Sequence, residues 1–146
     1  MRRRVIVFCL CLVAGFGIWF VLRPDSVSTA LSKQIQRGAG ATVDFAEVAP
    51  FAWERVYVFG PYTSHDQIHT SLGFHWAEVG RTTIESNEGV NLVVFVHDGK
   101  VVHWFEHPRH EELEGLADSD GYAREHSKFL VYRVGPEQRL ALAPPK

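Results

Sequence analysis

The hydrophobic pattern opens with a stretch that reads as neither strand nor amphipathic helix. Val5 to Leu22, "VIVFCLCLVAGFGIWFVL", is apolar without a break over 18 residues. As a helix it spans about 27 Å, close to the hydrocarbon thickness of a bilayer. Beyond it the pattern becomes that of short strands. "RVYVF" at 55–59 mixes β-branched and aromatic residues and stops at Gly60-Pro61, which predicts a strand. "VNLVVFV" at 90–96 is almost wholly apolar, as a central strand covered on both faces would be. "KVVHWFE" at 100–106, ending before Pro108, and "KFLVYRV" at 128–134, before Gly135-Pro136, predict two more. Between 90–96 and 100–106 stands His97-Asp98-Gly99-Lys100. Asp-Gly between two apolar runs predicts a two-residue hairpin turn, since both central residues need positive φ. Simple alternation along the return strand sends Val102, Trp104 and Glu106 to one face and Val101, His103 and Phe105 to the other.

Two short helices complete the pattern, one over 64–72 and one over about 111–116. The order strand, helix, hairpin, short helix, strand predicts an α+β fold. It would be a small antiparallel sheet with a short helix packed on it, preceded by an N-terminal transmembrane helix. The boundaries that follow are a signal-anchor at 1–24, a juxtamembrane linker at 25–41, the folded domain at 42–142 and a tail at 143–146. The linker is assigned on its Ser, Thr, Ala, Gln and Gly content, with one weak helical pattern through Ala30, Leu31 and Ile35.

Charge orients this arrangement. Arg2, Arg3 and Arg4 precede the apolar run and only Arg23 closely follows it, which predicts a cytoplasmic N-terminus and an exported C-terminal domain. A second fate is open, because Ser28-Thr29-Ala30 has the small residues that a signal peptidase prefers. Its distance beyond the apolar run favours the uncleaved anchor. Both cysteines, Cys9 and Cys11, lie inside the run, so the exported part forms no disulfide and depends on a packed core. Without Arg2, Arg3 and Arg4 the chain keeps 12 basic against 17 acidic residues, a formal charge of −5. Nucleic acid is therefore not an expected partner, since affinity there comes mainly from neutralising phosphates.

The chain's chemistry concentrates in "PYTSHDQIHTSLGFHW", 61–76. His65-Asp66-x-x-His69 is one substitution from the His-Glu-x-x-His zinc signature, with two histidines as ligands and the carboxylate as base. Catalytic zinc needs a third ligand, for which His75, Glu78, His103 and Glu106 are available. The same residues also spell an ordinary capped helix. Ser64 and Gln67 form a capping box, Asp66 suits the positive end of the helix dipole, Ile68 and Leu72 make a buried stripe, and Gly73 supplies the stop. Asp for Glu also shortens the base by a methylene. The capped helix is the expectation, with metal as the alternative.

Elsewhere "DSDG" at 118–121 begins like a calcium loop but lacks the Gly at the sixth position and the Glu at the twelfth. A solvated turn is expected there. "HWFEHPRH" at 103–110 reads as a strand end with polar residues at its exit. No Gly-x-Ser-x-Gly, Walker loop or dinucleotide fingerprint occurs, and no cofactor is expected. Trp53, Trp76 and Trp104 are expected in or at the edge of the core, and an exposed member would be a candidate partner anchor.

Trp53-Glu54, Pro61-Tyr62-Thr63, Leu72-Gly73, Asp98-Gly99 and Pro108-Arg109 together resemble a group of small bacterial envelope proteins, several of them lipoproteins. That resemblance implies a cell-envelope location and brings no catalytic residues. Thr63, Gln67, Ile68, Leu72 and Gly73 more loosely resemble the helix of SmpA/OmlA-type outer-membrane-assembly lipoproteins, which implies a helix-on-sheet architecture. The expectation is thus a non-catalytic domain anchored in a bacterial inner membrane and facing the periplasm, binding an envelope protein or a small envelope component. An inhibitor or immunity-type protein blocking a toxin or hydrolase is one alternative. A metal-dependent periplasmic hydrolase using His65, Asp66 and His69 is the other.

Overall fold

In the computed structural model, residues 25–117, 120–136 and 139–143 are described. The apolar run 5–22 with its Arg triplet lies outside them, as do Asp118 and Ser119 of the suspected turn and residues 144–146 of the tail. No helix among the described residues is long and apolar enough to cross a membrane.

The fold is α+β. Helix α1 (Ser26–Ile35) leads to strand β1 (Thr42–Asp44), the one-turn helix α2 (Phe45–Val48), β2 (Arg55–Phe59) and helix α3 (His65–Leu72). The hairpin of β3 (Val90–His97) and β4 (Lys100–Pro108) comes next. Then follow β5 (Glu111–Glu112), β6 (Tyr122–Ala123), β7 (Lys128–Val134) and β8 (Arg139–Ala143). There are two four-stranded sheets where one was expected, in the orders β1-β7-β8-β5 and β4-β3-β2-β6. All pairs are antiparallel except β5 with β8.

Period-two alternation in the central strands divides the interior into two cores. Val93 and Phe95 of β3 and Val56 and Val58 of β2 face one, with Phe45, Phe129, Val131 and Leu142. Leu92, Val94 and Val96 of β3 and Tyr57 and Phe59 of β2 face the other, with Ile68, Leu72 and Trp76. Strand β3 is therefore buried without interruption from Asn91 to Val96, which is why its sequence does not alternate.

The hairpin is the one that Asp98-Gly99 predicts, with φ of 48° and 67°, the conformation of a type I′ turn. Helix α3 is likewise as its sequence dictates. The Ser64 hydroxyl accepts from the Gln67 N–H, the Gln67 side chain accepts from the Ser64 N–H, and Gly73 closes the helix at φ 77°. Ile68 and Leu72 carry its buried face.

Four expectations need correction. Residues 25–41 are not a linker, because α1 is part of the first core. Its Val27, Leu31 and Ile35, spaced four apart, are 6%, 0% and 0% exposed, and the Asp25 side chain caps it by accepting from the Val27 and Ser28 N–H groups. Buried Gln34 fastens it to β1 by accepting from the Asp44 N–H at 3.0 Å. The helix expected over 111–116 is instead β5 followed by a 3₁₀ turn, Glu114–Leu116, because the Glu111 side chain is drawn inward. A β-bulge sets aside the simple alternation of β4. Val96 pairs with Val101 and Phe95 with His103, so Val102 is the extra residue. Val101 joins Trp104 against the second core, while Phe105 keeps to the first. Last, β8 and β1 supply the second sheet, which the expected strands did not include.

Candidate functional site

The histidines come first, since His65-Asp66-x-x-His69 resembles a zinc signature. His65 turns to Glu85, with Nδ1 3.6 Å from the carboxylate, and its backbone N–H donates to Glu85 Oε1 at 2.7 Å. His69 lies with Nε2 3.3 Å from the Trp76 carbonyl and its ring 4.5 Å from that of His75. Asp66 is exposed. Of the proposed third ligands, His75 lies beside His69, and the other three are engaged elsewhere. Glu78 pairs with Arg81 at 3.0 Å, His103 with Asp25 at 3.0 Å, and Glu106 accepts from the backbone and hydroxyl of Thr83. Among the described residues, one trio brings its ligand atoms within 4.8 Å of one another, and it is Glu54, His97 and Asp98. That trio is exposed at the hairpin turn, where His97 already pairs with both carboxylates at 3.5 and 3.6 Å.

A buried polar network, which sequence reasoning missed, ties α1 to the sheets. His107 is fully buried, its Nε2 2.8 Å from Glu111 Oε2 and its Nδ1 3.1 Å from the Ser28 hydroxyl. Glu111, 4% exposed, also accepts from Ser32 and Gln36 at 2.8 and 3.0 Å. Burial alone would push the Glu111 carboxyl up. The hydrogen bonds from His107, Ser32 and Gln36, with the attraction of His107, more than offset this and hold it down at about 2. Ser28, His107 and Glu111 stand in serial contact, with both ring nitrogens facing these partners and the ring fully buried. The arrangement is a fastening of three helix residues. Its signal was available, because His103, Phe105 and His107 alternate onto the same buried face of β4.

The candidate site that is open is a groove of about 450 Å³ along the first half of β4, against the loop that follows α3. Among the described residues, strand β4 is the edge of its sheet, so the outer row of its N–H and C=O groups faces no neighbouring strand there. The groove is lined by Phe74, Trp76, Lys100, Val102, His103 and Trp104, among others. Trp76 and Trp104 meet edge to face with centroids 5.7 Å apart. Trp76 is buried and Trp104 half-buried, so Trp104 is the core-edge tryptophan. Trp53, by contrast, belongs wholly to the core. It is 3% exposed, donates Nε1–H to the Ala49 carbonyl at 3.0 Å and lies under the Arg124 guanidinium. The bulge lifts Val102 out of the sheet, to 45% exposure.

A second, flatter groove runs between the end of β2 and the polar face of α3, past Thr63, Asp66, Gln67 and Thr70. Its aromatic lining residue is Phe59, and it holds no tryptophan.

Comparison of the chain with protein-family models, with curated proteins and with solved structures finds no match.

Proposed function

We propose that this chain is a non-catalytic domain of a bacterial cell envelope that acts by binding an envelope component in the groove along β4. Residues 5–22 anchor it in the inner membrane, the N-terminus is cytoplasmic, and the domain stands in the periplasm. The observation that carries the reading is where the fold begins. Asp25 caps α1 and touches His103, a groove residue, at 3.0 Å, and only Arg23 and Pro24 separate it from the apolar run. Leu22 thus lies no more than about 11 Å from Asp25 along the chain. A membrane anchor and a groove so close together suit a domain that works at the membrane surface. The unpaired edge of β4 supplies main-chain hydrogen bonds, and the paired tryptophans supply apolar area, the two parts of a binding site without chemistry.

The test is photo-crosslinking in intact cells. A benzophenone amino acid replacing Lys100, exposed and groove-lining, should give adducts with an envelope component. The same residue replacing Glu125, beside β6 at the far edge of the sheet, should give none. No adduct at 100, or equal adducts at both positions, would contradict the proposal.

A further inference from the structure

We propose that what fills the β4 groove is the bilayer itself, in the headgroup layer of the membrane that carries residues 5–22. This rests on the anchor reading above and goes beyond it by naming the ligand.

The apolar run ends at Leu22 and helix α1 is capped by Asp25, so only two residues stand between the run and that cap. Asp25 is itself held twice. One carboxylate oxygen accepts from the first turn of α1 at 2.8 and 3.0 Å, and the other lies 3.0 Å from His103 Nε2. Helix α1 is locked in turn by Val27, Leu31 and Ile35 in the core and by the buried His107–Glu111 network. Asp25 is therefore fixed with respect to β4. Of the two edges of this sheet, β4 is the one beside it.

The composition of that edge fits the same place. Trp104 is half-buried, Val102 is pushed out by the bulge, and Lys100 is exposed next to them. Aromatic rings with one wet side, and lysines beside them, are what membrane–water interfaces collect. The charges suit phosphate. Glu78 pairs with Arg81 at 3.0 Å, and Lys100 adds an exposed positive charge to the groove. The polar layer is about 5–8 Å deep on each side of the hydrocarbon, a depth the short join allows the groove to reach. Phosphate oxygens there can accept from the outer N–H groups of β4, which are costly to leave unmet.

The experiment uses the full chain with Cys9→Ser and Cys11→Ser, reconstituted into liposomes of phosphatidylethanolamine and phosphatidylglycerol. A nitroxide is attached at Val102→Cys, or at Lys100→Cys should the first variant fold poorly. The comparison is Glu125→Cys at the opposite edge. Relaxation by dissolved oxygen and by a water-soluble nickel chelate reports depth. At position 102 nickel access should be several-fold lower, and oxygen access higher, than at 125. Equal nickel access at both positions, in protein that stays with the vesicles after carbonate washing, would overturn the groove proposal and leave the anchor standing. Protein washed off the vesicles would overturn the anchor and the proposal together. Spin–spin broadening at 102 would place a second copy of the chain in the groove, and this too would overturn the proposal.

Discussion

The Glu111 network yields the sharpest energetic prediction. Replacing Glu111 by Gln keeps the shape of the side chain and removes its charge, so the packing around it is little disturbed. The native carboxyl is held at about 2 against an ordinary 4.5. Each unit of that difference is about 1.4 kcal/mol of preference of the folded state for the ionised form, so the whole is about 3 kcal/mol. The sign follows from the direction of the shift. A lowered carboxyl stabilises the fold fully above its unfolded value, and the contribution fades as pH falls toward the folded value. It should be about 3 kcal/mol at pH 7 and less than half of that at pH 3. Glu111→Gln should therefore lower stability by about 3 kcal/mol at pH 7, and the gap between the two proteins should narrow by more than half by pH 3. The assay is urea unfolding of the full chain in detergent micelles, followed by the fluorescence of the domain tryptophans. A gap below about 0.5 kcal/mol at pH 7 would be what an ordinary surface site gives. That result, or a gap unchanged with pH, would refute the reasoning.

The remaining predictions concern the elements that position the groove. Leu31→Ala, at a fully buried site in α1, should cost about 2–5 kcal/mol in the same unfolding assay; no cost would restore the linker. Ser64→Ala should lower stability by roughly 0.5–2 kcal/mol through the lost cap, whereas His65→Ala with His69→Ala should change it by less than about 0.5 kcal/mol. A chelator should leave the melting temperature of the wild type where it was, and a drop abolished by the double-histidine variant would promote the metal reading. Gly99→Val, at φ 67°, should cost on the order of 1–3 kcal/mol, and an unchanged melting temperature would count against strain at the turn.

The elements legible in the sequence are those whose rules are local. The capping box of Ser64 and Gln67 needs only four residues, and Asp98-Gly99 only two, so α3 and the hairpin stand where their residues put them. Strands β2, β3, β4 and β7 are five or more residues long and carry enough apolar content to be recognised. What failed was set by tertiary contacts. Helix α1 sets Val27, Ala30, Leu31 and Ile35 among Ser, Thr, Lys and Gln and closely follows the apolar run, so its composition reads as a tether. Strands β1, β5 and β6 have two or three residues, too few for any period, and exist because a neighbour pairs with them. The bulge at Val102 carries no glycine to announce it, yet it decides which face of β4 meets the groove. Of the site, Trp104 was anticipated as a core-edge residue, while the groove depended on knowing that β4 is an edge.

Membrane topology tests the central claim most directly. An alkaline phosphatase that is active only after export is fused behind Lys146, and cell fractions are washed with carbonate. The account predicts an active fusion that stays in the membrane pellet at full length. An inactive fusion would place the domain in the cytoplasm. A soluble product beginning at Leu31 would mean that the leader is removed and the first half of α1 with it, which contradicts both the anchor and the packing of that helix.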